Sequence, residues 1–347
     1  MILDDAGAIR KLDKQNVLRA LEELPEACRI AIRNANALEI DYQKPERVII
    51  TGMGGSAIGG DLVRDWLKKD VLIPIEVYRG YELPVYANEK TLVIVVSYSG
   101  NTVETVSAFN DALKRKCMVV VITSGGELQE LAKENEIPIV NLPAGFLPRF
   151  ALPYLFLSQA VILEKVGLVG KGGEIDEAIT LLEEMQKEIG VGTPLKNNLA
   201  KQLAERLVGK IPIVYGFGPF KGAAKRIRTE FHENAKVPAF WGFFPELSHN
   251  EILGWESDLS KNFFVIMIRD KKGETEEYIR RIDFTEGAIK KKADLFELEA
   301  RGKSKIAKIL SLTYVGGYAS VYLALLNGVN PAETGLIDEM KEVLKNG

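Results

Sequence analysis

Short β-branched runs recur along the chain, and between most of them apolar residues return at helical spacing. Over residues 1–44 only the helical period is present, with Val17, Leu18, Leu21 and Leu24 on one face. An alternation then begins. "RVIIT" (47–51), "IPIEVY" (73–78), "TLVIVVS" (91–97), "MVVVITS" (118–124) and "IPIV" (137–140) predict buried strands. The amphipathic stretches "DLVRDWLKK", "VETVSAFNDALKRK" and "ELQELAKENE" predict crossover helices, and so a parallel sheet. Residues 150–209 read as helical, with "VGKGGE" (169–174) as the candidate hinge. The alternation then restarts with "IPIVYGFGPFKGAAKR" (211–226), "NFFVIMIRD" (262–270) and "ADLFELEA" (293–300), followed by a long helix over 303–326. "VIITGMGGSAIGG" and "IPIVYGFGPFKGAA" look like one unit used twice. The fold class is therefore α/β, with two similar halves. The expected domains are 1–168 and 169–330, with a short helix over 331–347 set off by Pro331.

A length of 347 residues agrees with about two domains. The net charge of −3 argues against a nucleic-acid or anionic-membrane surface. Two distant cysteines, Cys28 and Cys117, leave no disulfide framework or CxxC metal site. "MILDDAGAIRKLD" has early acids and no apolar core, unlike a signal peptide. No apolar run is expected to reach the roughly 20 residues that cross a bilayer. The expected location is the cytoplasm.

Two polar turns carry the candidate chemistry. "TGMGGSAIGG" follows the first strand and opens a helix, where backbone N–H groups and the helix dipole favour an anion. Gly52, Gly54 and Ala57 also fit the dinucleotide pattern G-x-G-x-x-G/A, and Glu76 stands where an acid would close the next strand and meet a ribose. A tight turn without ligand is the plain alternative. "SYSGNTVET" (97–105) follows the buried run 91–96 and also opens a helix. On neighbouring strands the two turns would reach one sheet edge, with Ser56, Ser97, Ser99 and Thr102 around one phosphate monoester. Helix capping by Asn101 or Thr102 accounts for one of these hydroxyls but not for all four.

"GMGGSAIGGD", "SYSGNTVET" and "ITSGG" resemble the sugar isomerase (SIS) domain. "TEFHENAKVPAF", "PELSHNEILGW" and "IDEMK" are more specific and resemble the archaeal and bacterial bifunctional phosphoglucose/phosphomannose isomerases, in order over nearly the whole chain. The resemblance implies two tandem SIS-type domains, each a mainly parallel sheet flanked by helices. It implies interconversion of fructose 6-phosphate with glucose 6-phosphate and mannose 6-phosphate through a cis-enediolate, without metal or other cofactor. It places phosphate binding at Gly54, Gly55, Ser56, Ser97, Ser99 and Thr102, and the proton-transferring base at Glu233, with Glu230 one turn earlier as the competing carboxylate. His249 would open the sugar ring, assisted by Lys341, with Lys345 as the rival lysine. Arg149 would stabilise enediolate charge, and Thr334 would leave room for both C2 epimers. His232 has no motif support. The second glycine turn lacks the serines, so one phosphate site per chain is expected. The resemblance further implies a homodimer in which His249 serves the neighbouring chain's site. "AFWGFFPEL" (239–247) is aromatic enough for an interface but reads equally well as a core strand. A non-catalytic sugar-phosphate regulator, an NAD-dependent oxidoreductase and an amidotransferase's isomerase half are the alternatives.

Overall fold

The structure is a computed structural model and describes residues 2–170 and 172–346. The chain opens with α1 (Ala6–Leu12), α2 (Val17–Glu22) and α3 (Leu24–Asn36). Asp5 starts α1 by accepting from the N–H of Ala8 at 3.0 Å. Asp13 starts α2 by accepting from Val17 and Leu18, each at 2.8 Å. There follow β1 (Arg47–Thr51), α4 (Gly54–Leu67), β2 (Ile75–Tyr78), β3 (Thr91–Val96), α5 (Val103–Lys114), β4 (Met118–Thr123), α6 (Gly126–Glu134) and β5 (Ile139–Asn141). The helices α7 (Leu152–Lys165), α8 (Gly172–Ile189) and α9 (Leu199–Leu207) come next. The second alternation is β6 (Ile211–Phe217), α10 (Lys221–Glu233), β7 (Phe240–Phe244), β8 (Phe263–Arg269), α11 (Glu276–Ile289) and β9 (Asp294–Glu299). The chain closes with α12 (Lys305–Leu326) and α13 (Gly335–Asn346).

Among the described residues the strands form two parallel sheets, ordered β2-β1-β3-β4-β5 and β7-β6-β8-β9. The second order repeats the first with its last strand omitted, as a duplicated unit would. The duplication extends to the turns: Gly54 has φ +48° and starts α4 after β1, and Gly218 has φ +47° and starts the 3-10 turn (Gly218–Phe220) that leads from β6 into α10. In the first sheet, Ile49, Val93, Val95, Val119 and Val121 pack under Val106, Phe109 and Leu128 of α5 and α6. α4 covers the other face so closely that a β-carbon on Gly60 would lie 2.8 Å from Ile50.

Two compact units result. One comprises residues 23–182 and 302–309 and holds the first sheet; the other comprises 1–22, 183–301 and 310–347 and holds the second. This differs from the expected division. The change of unit falls within α8 instead of at 168/169, and the first 22 residues belong with the second sheet. Polar ties hold them there. The Tyr314 hydroxyl donates to the carbonyl of Leu21 at 2.9 Å, and the Lys201 ammonium donates to that of Leu3 at 2.6 Å. Lys171, in the expected hinge, lies outside the described residues.

Two further expectations change. α12 is long and apolar enough to cross a membrane by length and composition, contrary to the reading that no run approaches that size. Its apolar stretch is 94% buried, as that of a core helix is. "AFWGFFPEL" contains β7, so the strand reading of this stretch holds, but at the edge of the sheet and not in its core. Gly242 and Phe244 are buried, whereas Phe240 is 53% exposed.

Candidate active site

β1 and β3 are neighbours, and the connections from them leave on opposite sides. Their carboxyl ends therefore flank a switch point, where open α/β sheets bind ligands. Both polar turns start there. The turns touch: the N–H of Tyr98 donates to Ser56 Oγ at 3.3 Å, and a β-carbon on Gly52 would lie 2.6 Å from the carbonyl oxygen of Val96. Within the second turn, Ser97 Oγ donates to Thr102 Oγ1 at 3.1 Å and accepts from the N–H of Gly100 at 3.1 Å. Ser99 is exposed, and its hydroxyl accepts from the N–H of Asn101 at 3.3 Å. Gly100 has φ +70°, and a β-carbon on it would lie 1.8 Å from the carbonyl oxygen of Gly125, so only glycine fits. Gly54, Gly55, Ser56, Ser97, Ser99 and Thr102 thus stand in one compact unit on two linked turns.

Arg149 joins them. It lies in a 3-10 turn (Pro148–Ala151), is 2% exposed, and its guanidinium stands 5.4 Å from the Phe150 ring centre. Its backbone presses on the first turn, where a β-carbon on Gly55 would be 3.3 Å from the Pro148 carbonyl oxygen and 3.7 Å from Arg149 Cα. Tyr98 ties the same segment to the second turn. Its hydroxyl donates to the carbonyl of Pro143 at 2.8 Å and accepts from the N–H of Phe146 at 2.9 Å. Burial pushes its pKa up, so the phenol stays protonated. Glu76 does not close β2; it lies inside the strand, and its carboxylate accepts from the Tyr86 hydroxyl at 2.5 Å.

The remaining candidates lie in the other unit. Glu233 ends α10 and is half-buried. Its rival Glu230 is buried in an ion pair with Arg226 and accepts from Asn234 Nδ2 at 2.7 Å. Asn234 in turn donates to Ser320 Oγ at 2.9 Å. Glu230 is therefore committed to the core. Lys236 donates to the carbonyls of Glu233 (2.5 Å) and Glu333 (2.8 Å), bringing the end of α10 beside the residue before Thr334. Thr334 starts α13, and its hydroxyl donates to Asp338 at 2.7 Å. Lys341 is exposed, with its ammonium 3.7 Å from Asp338. The side chain of Lys345 lies outside the described residues. His249 ends an exposed 3-10 turn (Glu246–His249). His232 is structural: its Nε2 lies 2.9 Å from the N–H of Ala239 and 2.8 Å from that residue's carbonyl, clasping α10 to the approach to β7.

Residues 41–160 match the SIS domain, and residues 196–344 match the bacterial phospho-glucose isomerase C-terminal SIS domain. A bifunctional phosphoglucose/phosphomannose isomerase of Caldicellulosiruptor bescii is 35% identical over 337 residues, covering 94% of this chain and 98% of that protein. A namesake from Thermoplasma volcanium is 33% identical over 302 residues, covering 86% and 91%. This chain belongs to the bifunctional phosphoglucose/phosphomannose isomerase family. A D-glucosamine-6-phosphate 4-epimerase of Sulfolobus acidocaldarius is similar as well, at 30% identity over 87% of this chain and 90% of that protein. Among solved structures, a hypothetical protein from Thermus thermophilus shares the fold with a TM-score of 0.78 at 16% identity, covering 99% of this chain and 94% of that one.

Within this isomerase family member, two positions escaped sequence reading. Tyr98 sits inside the quoted polar motif, but nothing in its spacing says that its ring turns back to the Arg149 segment. Lys236 follows the Glu233 motif closely and has φ +56°, a conformation that sequence spacing does not reveal.

Proposed function

We propose that this chain interconverts fructose 6-phosphate with glucose 6-phosphate and mannose 6-phosphate through a cis-enediolate. What carries the reading is a neutral hydroxyl-and-amide cradle at a sheet switch point, beside a buried arginine, in a chain whose relatives bear that name over most of its length. Hydroxyls and N–H groups suit a phosphate dianion. Arg149 would face the charge that develops on the sugar oxygens in the transition state. Glu233 ends α10 and is half-buried, and a half-buried carboxylate suits proton transfer between C1 and C2. His249, helped by Lys341, would move a proton at the ring oxygen. Thr334 would border C2 and admit either epimer.

We also propose a homodimer in which His249 serves the partner's site. An exposed ring on a turn supported from beneath by the buried Leu247 suits such a role. The test of the cradle is Ser97→Ala with Ser99→Ala. Each hydroxyl bonded to a phosphate oxygen contributes on the order of 1.5–3 kcal/mol. The contact exists in ground and transition states alike, so KM for fructose 6-phosphate should rise while kcat changes little. An unchanged KM would remove the phosphate from these turns.

A further inference from the structure

One lysine ties together two segments that carry proposed site residues. α10 ends at Glu233, and the chain leaves it through a turn in which Lys236 has φ +56°. Core contacts fix both sides of that turn. Asn234 is buried and donates from Nδ2 to Glu230 at 2.7 Å and to Ser320 Oγ at 2.9 Å, and the His232 ring clasps Ala239. At the helix end the N–H of Val237 reaches past Glu233 to the carbonyl of Phe231 at 3.2 Å. The Glu233 carbonyl accepts from the Lys236 ammonium at 2.5 Å, as a basic side chain often caps a helix C-terminus. Capping needs no second partner, yet the same ammonium donates at 2.8 Å to the carbonyl of Glu333, 97 residues further along the chain.

Glu333 directly precedes Thr334, whose carbonyl accepts the N–H groups of Ile337 and Asp338 as α13 begins. Beyond that start, Leu336, Met340 and Val343 of α13 are 83%, 55% and 71% exposed. A helix with such side chains in solvent is placed mainly by its first turn. The buried Ala332 anchors the approach, and Asn330 braces it, with Nδ2 donating to Glu333 Oε1 at 3.1 Å and Oδ1 accepting from the N–H of Ala332 at 3.0 Å. Lys236 then ties it to α10. From Thr334 the hydroxyl donates to Asp338 at 2.7 Å, and the Lys341 ammonium stands 3.7 Å from the same carboxylate. Lys236 thus joins the end of the helix that bears Glu233 to the start of the helix that bears Thr334 and Lys341.

We propose that Lys236 is the positioning residue that holds Thr334 against Glu233, and so sets how product divides between the two C2 epimers. The inference rests on the assignments of Glu233 to proton transfer and of Thr334 to the border of C2. Glucose 6-phosphate and mannose 6-phosphate differ only in which face of C2 takes the proton. That choice depends on small differences in placement, since a misplacement of about 1 Å costs as much as a hundredfold in rate. Without the ammonium, the two carbonyls lose their shared donor and the start of α13 shifts relative to the end of α10. Asn234 and His232 keep α10 itself in place.

Lys236→Met keeps the aliphatic stem and removes the donors, whereas Lys236→Arg keeps a charged donor group. The initial rates of glucose 6-phosphate and mannose 6-phosphate formation from fructose 6-phosphate are read separately. In Lys236→Met, kcat should fall about tenfold and the ratio of the two rates should change by about threefold or more. KM should stay within about twofold, because the phosphate turns lie in the other unit. Lys236→Arg should return the ratio to within about twofold of the unmodified protein. A lysine that only stabilises the fold would lower both rates in proportion. An unchanged ratio in Lys236→Met, or an equal shift in Lys236→Arg, would overturn the proposal. Thr334→Leu, which fills the room at C2, separates the layers. If it shifts the ratio while Lys236→Met does not, the positioning role alone fails; if the ratio ignores Thr334→Leu, the assignment of Thr334 fails and the inference with it. An unmodified chain that forms neither aldose would sink the isomerase reading itself.

Discussion

Gly52→Ala tests the contact between the two turns. Its β-carbon would lie 2.6 Å from the Val96 carbonyl oxygen, where ordinary contact begins near 3.5 Å, so the strand ends must part by roughly 0.9 Å. The obstructing atom belongs to the backbone and cannot swing aside. Overpacking of this kind costs about 1–3 kcal/mol, and a unit of this size loses about 2–4 °C of Tm per kcal/mol. The displacement also stretches the Tyr98 N–H to Ser56 Oγ bond, already 3.3 Å long, beyond useful reach. The turns would then no longer address one anion. Losing one charge-assisted hydrogen bond to phosphate predicts a KM increase of about tenfold or more, with kcat within about threefold. Gly167→Ala, just after α7 and outside both turns, is the control: φ is +73° and nothing lies within 4 Å of its β-carbon, so the cost is only the about 1–2 kcal/mol of left-handed backbone. Saturation kinetics on fructose 6-phosphate and calorimetry of both variants give the answer. Gly52→Ala with unchanged KM and Tm would refute the claim that close approach of the turns builds the cradle.

Glu233→Gln should lower kcat by roughly two to four orders of magnitude without loss of Tm. Glu230→Gln should instead destabilise the fold by about 3 kcal/mol, because Arg226 is left buried beside a neutral partner; the reverse pattern would shift the base by one turn. Inactive Glu233→Gln and His249→Ala chains, co-refolded, should recover about a quarter of normal activity if His249 crosses to the partner, and none if it serves its own chain. Lys201 donates to the carbonyls of Leu3, Val191 and Thr193 at 2.6–2.8 Å with no carboxylate in its bond set, and burial lowers its pKa. A lowered folded-state pKa means that the unfolded chain binds the proton more tightly. Stability relative to Lys201→Met should therefore rise with pH between the folded and unfolded pKa values, the latter near about 10.4; denaturant titrations giving a flat or falling difference would contradict this.

Much of the fold was legible because β-branched runs bounded by glycine turns leave little choice of strand, and two such series give two parallel sheets. The late starts of β2 and β5 have one cause. β2 and β5 begin at Ile75 and Ile139 because Pro74 and Pro138 accept from neighbouring strands at 2.9 Å but have no N–H to donate. β7 stayed an even choice between a strand and an interface segment because Phe240–Phe244 is aromatic on both faces and carries Gly242, so it shows no alternation. The packing partner of residues 1–22 was not legible: an amphipathic face reveals that a helix packs but not against which sheet. At the site, Ser97 and Thr102 were legible as hydroxyls at a sheet edge. That they bond to each other depends on side-chain direction. Arg226 and Asn234 stand one helical turn either side of Glu230, so spacing allows both contacts, but the burial of that face against Ser320 was not legible.

The most direct measurement is incubation of the purified chain with fructose 6-phosphate in D2O, following glucose 6-phosphate and mannose 6-phosphate as separate NMR signals. Glucosamine 6-phosphate in a parallel tube tests the chemistry of the 4-epimerase relative. Both aldoses should accumulate, part of each carrying deuterium at C2, as a proton passed through a carboxylate and an enediolate requires. Glucosamine 6-phosphate should be unchanged at C4. Failure to form either aldose, or inversion of glucosamine 6-phosphate at C4 with no aldose from fructose 6-phosphate, would contradict the isomerase reading.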